Sequence, residues 1–146
     1  MSTLTATSRA VTWIPAIRRP VAVFGGVAAA VLANLVLWLI GEVAGGSFQT
    51  VDANGAPMDV APGGVVVLST VPLFVGLTAA VALSYLWTGV LRVAAGVGSV
   101  LSLGTIAITL AAGFDTPSTI TLSLMHVTLV PVLIVALEGV RRSIVR

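Results

Sequence analysis

Cysteine and lysine are both absent from the 146 residues, histidine occurs once, and charged side chains make up only 8%. Without cysteine there are no disulfides, thiolate nucleophiles, iron–sulfur clusters or cysteine-based zinc sites. With His126 as the only histidine, the two-histidine metalloprotease pattern is excluded as well. The missing lysines change the meaning of a pI near 10.5. Seven arginines scattered among long apolar segments, with a net charge of only +2, make no basic groove, so no nucleic-acid partner is expected. There is no G-x-S-x-G and no phosphate-binding loop, and Gly96-x-Gly98 lies in an apolar run without a third glycine or a preceding strand. Neither an enzyme activity nor a cofactor is expected.

What is present is hydrophobic. Apolar residues make up 58% of the chain and mean hydropathy is +1.14, too little polar surface for a water-soluble domain and suited instead to a lipid bilayer. Charges divide the sequence into uncharged intervals from Pro20 to Gly41, Val60 to Leu91, Val93 to Phe114 and Thr116 to Leu137, each of at least 22 residues. About 20 residues of helix cross a hydrocarbon core of roughly 30 Å. The pattern therefore predicts an all-α, four-helix transmembrane bundle, with helices near 21–43, 64–88, 91–113 and 118–140. Pro72 and Pro131 are expected to bend the second and fourth. The domain plan is a tail over 1–19, one membrane domain over 20–140 and a tail over 141–146.

Orientation follows from arginine. Arg9, Arg18 and Arg19 precede the first helix, Arg92 separates the second from the third, and Arg141, Arg142 and Arg146 follow the fourth. Four crossings put all seven on one side, which the positive-inside rule makes the cytoplasm, so both termini are expected there in a multi-pass protein of the cell membrane. The first apolar run is longer than a signal-peptide core and no small-x-small cleavage site follows it, so it reads as an uncleaved helix. Met1 to Ala10, rich in Ser and Thr, reads as a disordered tail, and Val11 to Ile17, with Trp13, as an interfacial segment.

The outer loop between the first two helices contains Asn54-Gly55, the strongest short hairpin signal, because both residues tolerate the positive φ of a type I′ turn. Centring the turn there pairs Ala53 with Ala56, Asp52 with Pro57 and Val51 with Met58, giving a small external β-hairpin. Small residues at four-residue spacing, Gly25–Ala29–Ala33, Gly76–Ala80–Ser84 and Gly98–Ser102, are expected to let helices approach closely, within the monomer or against a second copy.

Few polar residues fall within the spans. Asn34, Thr105 and His126 all lie about 20 Å from the arginine-bearing boundary at 1.5 Å per residue. Such groups should turn inward and bond to one another or to freed carbonyls, as a clasp between helices or as a proton or ion relay. At the other end, Glu42, Asp52, Asp59 and Asp115 form a possible external acidic cluster, though without a calcium-loop spacing. Glu138 is placed to pair with Arg141 and Arg142 along its helix.

The stretch Ala28 to Phe48, AAAVLANLVLWLIGEVAGGSF, with Val71-Pro72 and Leu124-Met125-His126, resembles a family of small bacterial four-helix integral membrane proteins of unknown function. The likeness runs from Val21 to Val140. It implies the same architecture and singles out Asn34, Glu42 and His126, but it supplies no substrate. Two function classes follow: a non-enzymatic structural or accessory membrane protein, or a small transporter or channel subunit using the Asn34, Thr105 and His126 layer. The partners expected are the lipid bilayer and either a second copy or another membrane protein.

Overall fold

The computed structural model describes residues 13–52 and 54–145. The expectations for Met1 to Ala10, including Arg9, and those for Val11, Thr12, Ala53 and Arg146, fall outside the described residues. In chain order the elements are α1 (Arg19–Val43), β1 (Gln49–Val51), β2 (Pro57–Asp59), α2 (Pro62–Leu83), α3 (Val90–Ala111) and α4 (Thr116–Val145). All four helices are long and apolar enough to cross a membrane.

Helix ends follow local chemistry. Pro62 opens α2, where a proline has the right φ and removes an N–H that would have no intrahelical acceptor. Asp115 precedes α4 and its Oδ1 accepts the Ser118 N–H at 2.9 Å, an N-terminal cap. Helix α2 stops at Leu83 rather than near Thr88, since Ser84 Oγ turns back to the Val81 carbonyl at 2.6 Å and the Tyr85 and Leu86 N–H groups bond three residues back. Those last residues are uncharged but outside the helix, so the absence of charge did not mark its end. Helix α4 runs beyond Val140 because Glu138 binds Arg141 and Arg142 along the final turns. The segment before α1 also leans on that extension. Ile17 N–H donates to the Gly139 carbonyl at 2.9 Å, and Arg142 donates to the Ile14 carbonyl at 2.7 Å.

In the bundle, α4 packs on both α1 and α3, and α1 packs on α2, while α2 makes only light contact with α3 and α4. Large apolar side chains point outward: Phe24, Leu32, Leu101 and Ile108 are each about two-thirds exposed. Buried positions instead include Asn34, Ser69, Ser102, Thr109 and Thr121. Polar and small residues inside with large apolar residues outside is the arrangement that suits lipid as solvent.

The packed stripe of α1 is Ala22, Gly26, Ala30 and Asn34, all buried at four-residue spacing. A Cβ on Gly26 would meet Leu77 Cδ1 at 3.1 Å and Ala136 Cβ at 3.5 Å, so this face admits both α2 and α4. The stripe read from the sequence, Gly25–Ala29–Ala33, lies one residue further round, and Gly25 and Ala29 are exposed. Four-residue spacing holds for both rows; only the neighbours decide which is inside. Gly76 faces open space, while Ala80 and Ser84 are buried. Gly98 does lie at the α3–α4 seam, where its added Cβ would be 3.0 Å from Leu133 Cδ1.

The hairpin forms with a register shifted by one residue from the expected one. Gln49 faces Asp59, Thr50 faces Met58 and Val51 faces Pro57. Gly55 N–H donates to the Asp52 carbonyl at 3.0 Å, and Asp52 N–H to the Ala56 carbonyl at 2.8 Å. Gly55 has φ 80°. The connection is thus a three-residue loop with glycine in the left-handed position, not a two-residue I′ turn. Asp52 accounts for the difference, because its Oδ1 accepts the N–H groups of Asn54 and Ala56, both at 2.8 Å, and so folds the longer loop onto itself.

Candidate functional site

Halfway along the bundle, Asn34 joins three helices. Its Nδ2 donates to Ser69 Oγ of α2 at 2.8 Å, and its Oδ1 accepts from Thr128 Oγ1 of α4 at 3.0 Å. Thr128 shares that proton with its own Met125 carbonyl at 2.7 Å. Asn34 is buried, so both ends of the carboxamide are used where water would otherwise be needed.

His126 and Thr105, placed at the same depth by the sequence, do not bond to Asn34. The His126 Nδ1–H donates to the Leu122 carbonyl one turn back at 2.8 Å, and Thr105 Oγ1 donates to the Leu101 carbonyl at 2.8 Å, also within its own helix. Ser102 links α3 to this region by donating to the His126 carbonyl at 2.7 Å. Thr128 and His126 lie about 200° apart around α4 at 100° per residue, so one reaches α1 and the other the α3 side. Depth along each helix was readable, but direction around it was not.

The most elaborate construction is at the end carrying the hairpin. Gly41, the last buried position of α1, leaves room for the Phe48 ring: a Cβ there would lie 2.6 Å from Phe48 Cζ and 2.6 Å from Thr121 Oγ1. Phe48 is fully buried, stacks on Trp38 with ring centroids 5.7 Å apart, and has φ 53°, uncommon for a residue with a side chain. Ser118 accepts its N–H at 2.8 Å. Trp38 Nε1 donates to the Val60 carbonyl at 2.9 Å, and Val60 N–H donates to the Phe48 carbonyl at 3.0 Å. Thr50 Oγ1 donates to the Ala112 carbonyl at the end of α3. One aromatic plug therefore ties the hairpin to α1, α3 and α4.

The acidic residues divide rather than cluster. Asp115 Oδ2 accepts both the N–H (2.8 Å) and the hydroxyl of Ser47. The Ser47 hydroxyl, the Ser118 N–H and the Ser47 N–H together hold the Asp115 carboxyl well below the ordinary carboxylate range. Asp52 is also lowered, first by the Ala56 N–H and then by that of Asn54. Glu42 and Asp59 are exposed, and among the described residues no three His, Asp or Glu side chains form a metal-holding group.

Residues 14–143 match a family of unknown function, DUF6069. The chain belongs to that family. No curated protein and no solved structure matches it. The matched span begins at Ile14, which is buried against the end of α4 in this DUF6069 chain, and so takes in both the docked pre-helix segment and the whole capped end.

Sequence reasoning missed Ser69, Thr128, Ser47, Phe48, Ser118 and Thr121 of this DUF6069 protein. Gly41 followed by Gly45-Gly46 ahead of an isolated loop phenylalanine was the available signal for the plug, since paired glycines beside an aromatic indicate close backbone approach. The pairing of Ser47 with Asp115, 68 residues away, left no trace in local pattern.

Proposed function

We propose that this DUF6069 chain is a multi-pass protein of the cell membrane with both termini cytoplasmic, acting without catalysis as a structural or accessory component that presents a rigid outer cap to another membrane or extracytoplasmic protein. The observation that carries this reading is the plug at the hairpin end. Phe48, Trp38, Gly41, Ser47, Ser118 and Asp115 hold a short hairpin in one place, and that hairpin leaves Val51 (62% exposed) and Met58 (45%) outward. An isolated two-stranded hairpin is marginal in water, so fixing it to three helices supports a role for its outward face. The inverted distribution of polar and apolar residues supports the membrane assignment. The one-sided arginine distribution supports the orientation.

The experiment is site-specific photo-crosslinking in native membranes from a probe at Met58, with a probe at Leu101 on the outward face of α3 as control. A discrete protein adduct from Met58, lost when Phe48→Ala loosens the cap, agrees with the proposal. Adducts to lipid alone from both positions contradict it.

A second reading, a small transporter or channel subunit, is favoured by one observation. The hydroxyls of Ser99 and Ser123 are buried without hydrogen-bond partners among the described residues, and Ser123 precedes His126 by one helical turn. Proton or ion flux into proteoliposomes above that of empty vesicles, abolished by His126→Gln, would establish it over the accessory role.

A further inference from the structure

The arginines at the end away from the hairpin fall into two sets. Arg141 binds Glu138 through two contacts of 2.6 and 2.7 Å, and Arg142 reaches the same carboxylate at 3.4 Å. Arg18, Arg19 and Arg92 have no carboxylate at ion-pair distance among the described residues, although Arg92 is near enough to Glu138 to interact with it through space. Ile17 N–H bonds to the Gly139 carbonyl near the end of α4, Arg19 lies over Tyr85 just past α2, and Arg92 is in the first turn of α3, so the three arginines fall at the same end of the bundle.

Arg19 is the informative member. Its guanidinium lies over the Tyr85 ring, 4.1 Å from the centroid, and its Nε is buried without a hydrogen-bond partner among the described residues. A cationic N–H removed from water without an acceptor is unfavourable, and the described residues supply none here, so an acceptor oxygen drawn in at this corner stabilises the guanidinium. Tyr85, Leu86 and Trp87 beside it are all strongly exposed. Aromatic, apolar and arginine side chains together mark the depth of lipid headgroups. Acyl chains have a place too, because α2 and α3 pack on α1 and α4 rather than on each other, leaving Leu83, Val93 and Val97 exposed on the two helices.

We propose that Arg18, Arg19 and Arg92, with Tyr85 as the stacking surface, form a binding site for the phosphodiester headgroup of an anionic phospholipid. The phosphodiester supplies non-bridging oxygens to the guanidinium N–H groups, and the exposed sides of α2 and α3 take the chains. The proposal rests on the membrane reading of the chain. Arg141, held by Glu138 through two contacts, serves as the experiment's internal control.

The test is intact-complex mass spectrometry of the purified protein in detergent with added phosphatidylglycerol or phosphatidylcholine, for variants whose melting matches the parent. Phosphatidylglycerol should be retained preferentially. Arg19→Gln and Arg92→Gln should each weaken it about fivefold, the contribution of one arginine at a membrane surface, while Arg141→Gln leaves it within about twofold. Arg19→Lys, which keeps the charge but loses the planar stacked donor, should still lose affinity. Free glycerol phosphate should not displace the lipid. Equal retention of the two lipids, an Arg141→Gln loss as large as that of Arg19→Gln, or displacement by glycerol phosphate at equal concentration would overturn the site. Reconstitution into bilayers of either lipid separates these failures from failure of the membrane reading, which would instead show as no insertion into any bilayer.

Discussion

Gly41→Ala places a methyl group where three atoms already stand. The new Cβ would be 2.6 Å from Phe48 Cζ, 2.6 Å from Thr121 Oγ1 and 2.9 Å from Thr121 Cγ2. The ring has little room to retreat, being stacked on Trp38 and held through its backbone by Ser118. Overpacking of this kind costs about 1–3 kcal/mol, and two fixed neighbours put it at the upper end. Alanine in place of glycine inside a helix returns about 1 kcal/mol, leaving a net loss of about 2 kcal/mol by these two terms. Gly25→Ala in the same helix meets only Val21 Cγ1 at 4.0 Å, so it should gain about 1 kcal/mol from propensity alone. The two substitutions should therefore differ by about 3 kcal/mol in detergent unfolding titrations, with loss of near-ultraviolet dichroism from the Trp38–Phe48 pair only for Gly41→Ala. Shortening the ring with Phe48→Leu should make the Gly41→Ala effect smaller than in the parent. A Gly41→Ala protein as stable as Gly25→Ala would refute the packing argument.

Asn34→Leu, Ser69→Ala and Thr128→Val should each destabilise the bundle by on the order of 1 kcal/mol and be non-additive in pairs, whereas Asn34 and His126 substitutions should add; double-mutant cycles in detergent read both, and coupling of Asn34 to His126 would contradict the observed hydrogen bonds. Asp115 is lowered from an ordinary value of 3.8, so its contribution is complete above that value and is lost only as pH falls through the lower folded one. Near-ultraviolet dichroism of the cap should consequently persist through pH 3.8 and fail only in stronger acid; a transition centred at or above 3.8 would show that the Ser47 and Ser118 bonds to the carboxylate are not made. Gly55→Val should open the hairpin turn because φ is 80° there, while Asn54→Ala should leave it closed, and equal proteolysis of the two variants would argue against a left-handed Gly55.

The four helices were legible because charge marks where long apolar runs end, and the hairpin because glycine in a turn has few alternatives. Charge did not mark the helix end in two places. The uncharged Tyr85-Leu86-Trp87 extended the apparent second helix past Leu83, and Glu138 with Arg141 and Arg142 continued α4 past its apolar stretch. Asn34 was found as an inward polar residue, yet its partners were not, since depth comes from counting residues and azimuth comes from packing. Ala22, Gly26 and Ala30 do point to the Asn34 face, but Gly25, Ala29 and Ala33 repeat equally well. The outer plug was least legible. Its bonds span about half the chain, and a positive φ at Phe48 has no sequence signature.

The proposed membrane placement requires the hairpin and the arginines to lie on opposite sides of a membrane. Because the chain has no cysteine, single cysteines at the exposed positions Asn54, Thr116, Thr88 and Ser143 can be probed in intact cells with a membrane-impermeant maleimide. Labelling of Asn54 and Thr116 alone, with Thr88 and Ser143 reacting only after permeabilisation, is the predicted result. External labelling of Thr88 or Ser143 would contradict the four-crossing arrangement and, with it, the placement of the cap outside the cell.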